Sequence, residues 1–130
     1  MHFRRRDEAP VNERGGQVSR LLFAPQLGST RLGVTWVRGE PGSQQSLHAH
    51  DDSEQVYVVI RGRGLMIVDD EAVEVEAGSA VLIPFGATHA IRNTGTEPLE
   101  YISATAPPFP AEIRGDTWQP GYERSSAENA

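Results

Sequence analysis

The stretch GSQQSLHAHDDSEQVYVVIRG, Gly42 to Gly62, decides how the rest of the chain is read. It carries His48 and His50, two of the four histidines in the protein. Their spacing is i, i+2. On a β-strand alternate side chains share a face and each residue rises roughly 3.3 Å, so two imidazoles rooted about 7 Å apart can converge on one ion. His89 lies in a second stretch punctuated by glycine and proline, GSAVLIPFGATHAIRN, Gly78 to Asn93. We expect the two stretches to meet in space and hold a metal. A histidine pair at this spacing also suits the solvent face of an edge strand, so the other spacings must carry part of the argument.

On either side the texture is that of short strands. VSRLLFAP reads as a strand that Pro25 ends or places at an edge. TRLGVTWVRG alternates with a period of two through Leu32, Val34 and Trp36. Glu40-Pro41-Gly42 is a turn, because proline fixes φ and glycine accepts a positive φ. LHAH is a short strand and DDS bends it back. EQVYVVIRG is β-branched and aromatic, a central strand. GLMIV continues in that manner to a hairpin tip at Asp69-Asp70-Glu71, and AVEVEAG returns with Val73 and Val75 expected inward. SAVLIP, HAIRN and PLEYISATA complete the series. Roughly eight or nine strands at intervals of about ten residues, with no helical periodicity, predict an all-β sandwich or barrel.

The 130 residues suit one domain. No internal repeat is present, so one barrel is expected rather than two. Residues 1–16, MHFRRRDEAPVNERGG, are charged and aperiodic and read as a flexible arm. Residues 17–106 form the β domain. Residues 107–130 hold four of the nine prolines without alternation and read as an extended tail. Phe109, Trp118 and Tyr122 would pin that tail to its own barrel, or would serve as a lid or a dimer contact.

The chain has no cysteine, so any metal must be held by nitrogen and oxygen. That disfavours a structural zinc site and favours an open catalytic one. The net charge of -6 argues against nucleic-acid binding, which needs a basic face. No stretch approaches the ~20 apolar residues of a membrane span, and no apolar signal core follows the N-terminal arginines. A soluble, cytoplasmic protein is expected.

The two histidine stretches together resemble the motifs of the cupin family. The first motif matches Gly42, His48, His50, Gln55 and Gly62; the second matches Gly78, Pro84, Gly86, His89 and Asn93. The fifteen residues between Gly62 and Gly78 match the short spacer of small bacterial members. The resemblance covers roughly residues 18–105. It implies a jelly-roll β-barrel with one divalent metal (Fe, Mn, Ni, Co or Zn) near one mouth, held by His48, His50 and His89. Asn93 is expected to satisfy turn backbone. The family's usual fourth ligand is glutamate. Here the register to Gly62 gives Gln55, with Glu54 one residue earlier. A one-residue shift turns a side chain to the opposite face, so only one of the two can reach the metal, and the register favours Gln55.

Three neutral imidazoles and a neutral amide leave the charge of a divalent ion uncompensated, which should attract an anionic, chelating substrate: a carboxylate, enolate or phenolate. With Glu54 as ligand that preference weakens. Histidines ligate only when deprotonated, so metal binding should fail at acid pH. Tyr57 would share the Gln55 face and serve as hydrogen-bond donor or acid/base, or merely fill the barrel. Ile83, Phe85 and Trp36 or its alternating neighbours would line apolar walls.

Three function classes follow: a metal-dependent oxygenase, slightly favoured; redox-neutral Lewis-acid catalysis, as in polyketide cyclases, isomerases or decarboxylases; and small-molecule binding without turnover. A homodimer is expected, because small single-barrel cupins often pair through exposed sheet faces and terminal strands.

Overall fold

A computed structural model describes residues 1–121 and the backbone of 124–125. The strands are β1 (Val11–Arg14), β2 (Gln17–Phe23), β3 (Gly33–Gly39), β4 (His48–Ala49), β5 (Glu54–Arg61), β6 (Arg63–Val68), β7 (Glu71–Glu76), β8 (Ala80–Ile83), β9 (His89–Asn93), β10 (Leu99–Ala106), β11 (Ala111–Arg114), β12 (Thr117–Pro120) and β13 (Arg124–Ser125). They form an eight-stranded sheet, ordered β11-β12-β1-β2-β3-β10-β5-β8, and a five-stranded sheet, ordered β13-β4-β9-β6-β7. The all-β jelly roll expected from the sequence is the fold observed, as two facing sheets rather than one closed barrel. No helix among the described residues is long and apolar enough to cross a membrane.

The core lies between the sheets. Val37, Tyr57, Val59, Ile83, Leu99 and Tyr101 point in from the larger sheet and meet Met66, Val75 and Ile91 from the smaller one. Inward side chains recur at alternate positions, as the strand period requires. Val75 is buried as expected, but Val73 is 52% exposed. It lies nearer the hairpin tip on β7, an edge strand whose side chains have a neighbouring strand on one side only.

Gly62 joins β5 to β6 at φ +81°, and a Cβ there would collide with the Pro98 carbonyl. Only glycine combines that φ with so close an approach. Asn93 is buried and serves turn backbone: Nδ2 donates to the carbonyls of Gly39 (3.0 Å) and Glu97 (2.8 Å), and Oδ1 accepts from Gly95 N–H (2.9 Å).

The ends of the chain differ from their sequence reading. Val11–Arg14, expected in a flexible arm, forms β1 and pairs with β2 from Val11↔Arg20 to Arg14↔Gln17. The Gly15-Gly16 pair, at φ +62° and +82°, makes the connecting turn. That dipeptide is a hairpin signal, but the half-exposed strand before it has no alternation to announce it. The proline-rich tail likewise builds a hairpin, β11–β12, whose second strand runs parallel to β1. Trp118 is buried against Leu21 and Ala24, and Phe109 packs on the same cluster. Both aromatics therefore lie on the chain's own sheet. Tyr122 lies outside the described residues.

Candidate metal centre

His48 and His89 are directly paired residues of β4 and β9. The pairing sets their rings 4.1 Å apart, centroid to centroid. His50, two residues along, follows on the same side with its ring 5.3 Å from His48 and 5.9 Å from His89. The turn before β9 is fastened to this chain segment. Pro84-Phe85-Gly86-Ala87 closes through Ala87 N–H to the Pro84 carbonyl (3.2 Å), and Gly86 N–H donates to the His50 carbonyl (3.1 Å). Gly86 adopts φ +71°, which its lack of a Cβ permits. The second motif is thus anchored to the backbone of the first.

All three histidines are buried, and each offers a ligand nitrogen within 4.8 Å of the others. His48 Nδ1 lies 2.8 Å from the Ser46 carbonyl, and His89 Nδ1 lies 3.0 Å from the Ala87 carbonyl. A carbonyl only accepts, so Nδ1 carries a hydrogen in both rings and Nε2 is the nitrogen left to face a metal. Nε2 of His89 is buried without a partner. Burial, and then the charge of His48, pushes the His89 imidazole down to about 3. The same two causes push His50 down to about 4, against an opposing pull from Asp51. His50 and His89 are therefore neutral at ordinary pH, the form a metal requires.

Gln55 is buried on the inward face of β5, while Glu54 is exposed. Gln55 Nε2 donates to Ser103 Oγ (3.2 Å) and Thr105 Oγ1 (3.1 Å). The amide is held by its nitrogen, and its Oε1 is left buried with no partner. A buried acceptor without a donor is costly unless something else satisfies it. A cation does so. Three imidazoles and an amide oxygen form a nitrogen/oxygen set suited to a first-row divalent ion, so these residues fit a metal.

His48, His50 and Gln55 open onto a cavity of about 800 Å³. Tyr57 and Tyr101 line it as a stacked pair, 4.6 Å between centroids. The Gln45 amide nitrogen lies 2.9 Å from the Tyr101 hydroxyl and 3.4 Å from that of Tyr57. Its Oε1 accepts from Ile91 N–H (3.2 Å), which fixes the amide's orientation. Thr35 and Val37, alternating neighbours of Trp36, line the cavity.

Three expected wall residues are elsewhere. Phe85 is 59% exposed at the tip of its turn. Ile83 is a core residue. Trp36 faces outward, under the Arg6 guanidinium at 5.0 Å, with Nε1 donating to Glu100 (3.1 Å). Phe109 and Trp118 line the cavity instead, together with Asn12 and Arg14 of β1. Apart from the tail's aromatic content, nothing in the sequence pointed to that lining.

Residues 35–105 match the family model described as a cupin domain. The chain belongs to the cupin family. Among cupins and other relatives, an uncharacterised protein of Methanocaldococcus jannaschii is 41% identical over 71 residues, 55% of this chain and 57% of that protein. The chain thus spans little more than half of that relative. A Streptomyces cyaneus protein named polyketide synthase CurC is 31% identical over 108 residues, 82% of this chain and 69% of that protein. In fold, the cupin chain resembles the polyketide cyclase RemF from Streptomyces resistomycificus, with a TM-score of 0.74 and 19% identity over 97% of this chain and 85% of that one.

Proposed function

We propose that this cupin is a mononuclear metal-dependent enzyme acting on an anionic, chelating organic substrate of the enolate or phenolate class. One observation carries the reading: three buried histidines offer ligand nitrogens within 4.8 Å of one another, and two of them, His48 and His50, border a cavity of about 800 Å³. His48, His50 and His89 would hold the ion, with Gln55 Oε1 as fourth donor. A divalent ion held there would supply a Lewis acid for a bound oxygen anion.

The chain's own residues do the rest. Two aromatic pairs line the cavity, the stacked Tyr57 and Tyr101 and the pair Phe109 and Trp118, and they suit a flat conjugated molecule. The volume is near the upper end for small-molecule sites, far more than a two-carbon dicarboxylate needs. Tyr57, its phenol oxygen beside the Gln45 amide, is the group to hold or pass a proton at the substrate. Ser103 and Thr105 hold the Gln55 amide in one orientation.

The similarity to a protein named as a polyketide synthase supports a substrate of the polyketide class, for which ring closure of an enolate without net oxidation is the form of reaction we propose. Oxygen insertion is the competing form. Elemental analysis of freshly purified protein, followed by turnover of poly-β-ketone and hydroxynaphthalene substrates with and without O₂, tests the proposal. Metal near one equivalent and anaerobic turnover are expected. Turnover only with matching O₂ uptake would establish the oxygenase. Substrate binding with no product under either condition would leave a binding module and overturn the enzyme reading.

A further inference from the structure

Two of the three histidines have their rings fixed by backbone. His48 and His89 each set Nδ1 against the carbonyl two residues earlier. Among the described residues no such carbonyl serves His50. Its ring lies face to face with Phe109, with centroids 4.8 Å apart and planes 12° from parallel. The second torsion of a histidine is soft and roughly two-fold, so a ring held by nothing swings or flips. Either motion carries the ligand nitrogen off its target.

We infer that Phe109 is a positioning residue for His50, replacing with an aromatic stack the backbone hydrogen bond that orients the other two rings. The inference rests on the metal-binding reading above and assigns to the tail a role at the metal. Phe109 is itself secured from both directions. Behind it stands Trp118, ring to ring at 6.3 Å, whose Nε1 donates to the Ser19 carbonyl (3.0 Å). Two residues before it, the Pro107 carbonyl accepts from Ser53 Oγ (2.6 Å), and Ser53 lies three residues beyond His50. The segment carrying Phe109 and the loop carrying His50 therefore move together. A partner that orients a metal-ligating histidine typically changes metal affinity by about ten- to a hundredfold.

The test is titration of the metal-free protein with Co(II), read as a dissociation constant and as the visible d–d spectrum. Phe109→Leu keeps an apolar side chain in the Trp118 cluster but removes the stack; Phe109→Tyr keeps the stack. Phe109→Leu is expected to weaken Co(II) binding about tenfold and to alter the spectrum. Phe109→Tyr is expected to restore both. Equal affinity and an identical spectrum in the Leu variant, or a Tyr variant as weak as Leu, would overturn the inference while leaving the metal site standing. A wild-type protein that takes up no Co(II) would overturn the metal reading and this inference with it. Should the Leu variant misfold, a nuclear Overhauser contact between the His50 and Phe109 rings in the metal-free wild type is the second measurement. Its presence supports the stack and its absence overturns it.

Discussion

Gly86 donates its amide hydrogen to the carbonyl of His50, 3.1 Å away, and so ties the turn before His89 to the strand end that carries the other two histidines. The direct pairing of His48 with His89 completes the bracket. Backbone hydrogen bonding across β4 and β9 therefore brings the three histidine positions together.

The ligand set makes a first prediction. His50→Ala and His89→Ala are expected to abolish stoichiometric metal by elemental analysis. Gln55→Ala should weaken metal binding at least tenfold, whereas Glu54→Ala, altering an exposed side chain, should leave it unchanged. The reverse order of the last two variants would assign the fourth donor to Glu54.

Acid should weaken the metal-free fold itself. An unfolded histidine takes up its proton near 6.5, while His50 resists to about 4 and His89 to about 3. Between those values the unfolded chain binds more protons than the folded one, so stability falls as pH falls. The contribution is fully present above pH 6.5 and is lost progressively from there down to about 3. Urea midpoints of the metal-free protein at pH 7.5, 5.5 and 4.5 should decline in that order, and His89→Gln should flatten the decline. A midpoint independent of pH across that window would contradict the buried neutral rings.

Asn93 bonds three backbone groups from one buried amide. Its replacement by alanine strands two carbonyls and one N–H, a cost of about 2–4 kcal/mol. The urea midpoint should fall accordingly without a change in slope. A loss below about 0.5 kcal/mol, the usual range for surface changes, would mean that the turn does not depend on this residue.

The outer face of the larger sheet makes a prediction about assembly. Trp36, Ile102, Val58 and Ala80 lie directly opposite one another across β3, β10, β5 and β8, and Val34, Ala104, Val56 and Leu82 form the next such row. Val58 and Leu82 are exposed. A contiguous apolar face on four adjacent strands is more than scattered surface residues require, and a second copy of the chain presents the same face. We predict a homodimer through it. Sedimentation should give about twice the 14.2 kDa chain mass, and Val58→Glu combined with Leu82→Glu should give the monomer. A wild-type mass near 14.2 kDa would reject the pairing.

By itself the sequence determined the strand content, the turns and the candidate ligands, because each depends on short-range chemistry. Alternation marks strands, Gly62 and Gly86 mark backbone that other residues strain to adopt, and His48, His50 and His89 stand at fixed distances from those marks. The tertiary structure decided what distant segments do to one another. Val56, Val58, Val59 and Ile60 are apolar on both faces of β5, so hydrophobic alternation did not say which of Glu54 and Gln55 faces inward, and only the spacing to Gly62 favoured Gln55; the tertiary structure buries Gln55 between the two sheets and leaves Glu54 exposed. The N-terminal arm and the proline-rich tail lack alternation because their strands are half exposed. Only pairing between Val11 and Thr117, more than a hundred residues apart, brings Phe109 and Trp118 to the cavity wall. Contacts of that range leave no periodic trace in either segment, since the side chains that make them answer to a partner elsewhere in the chain.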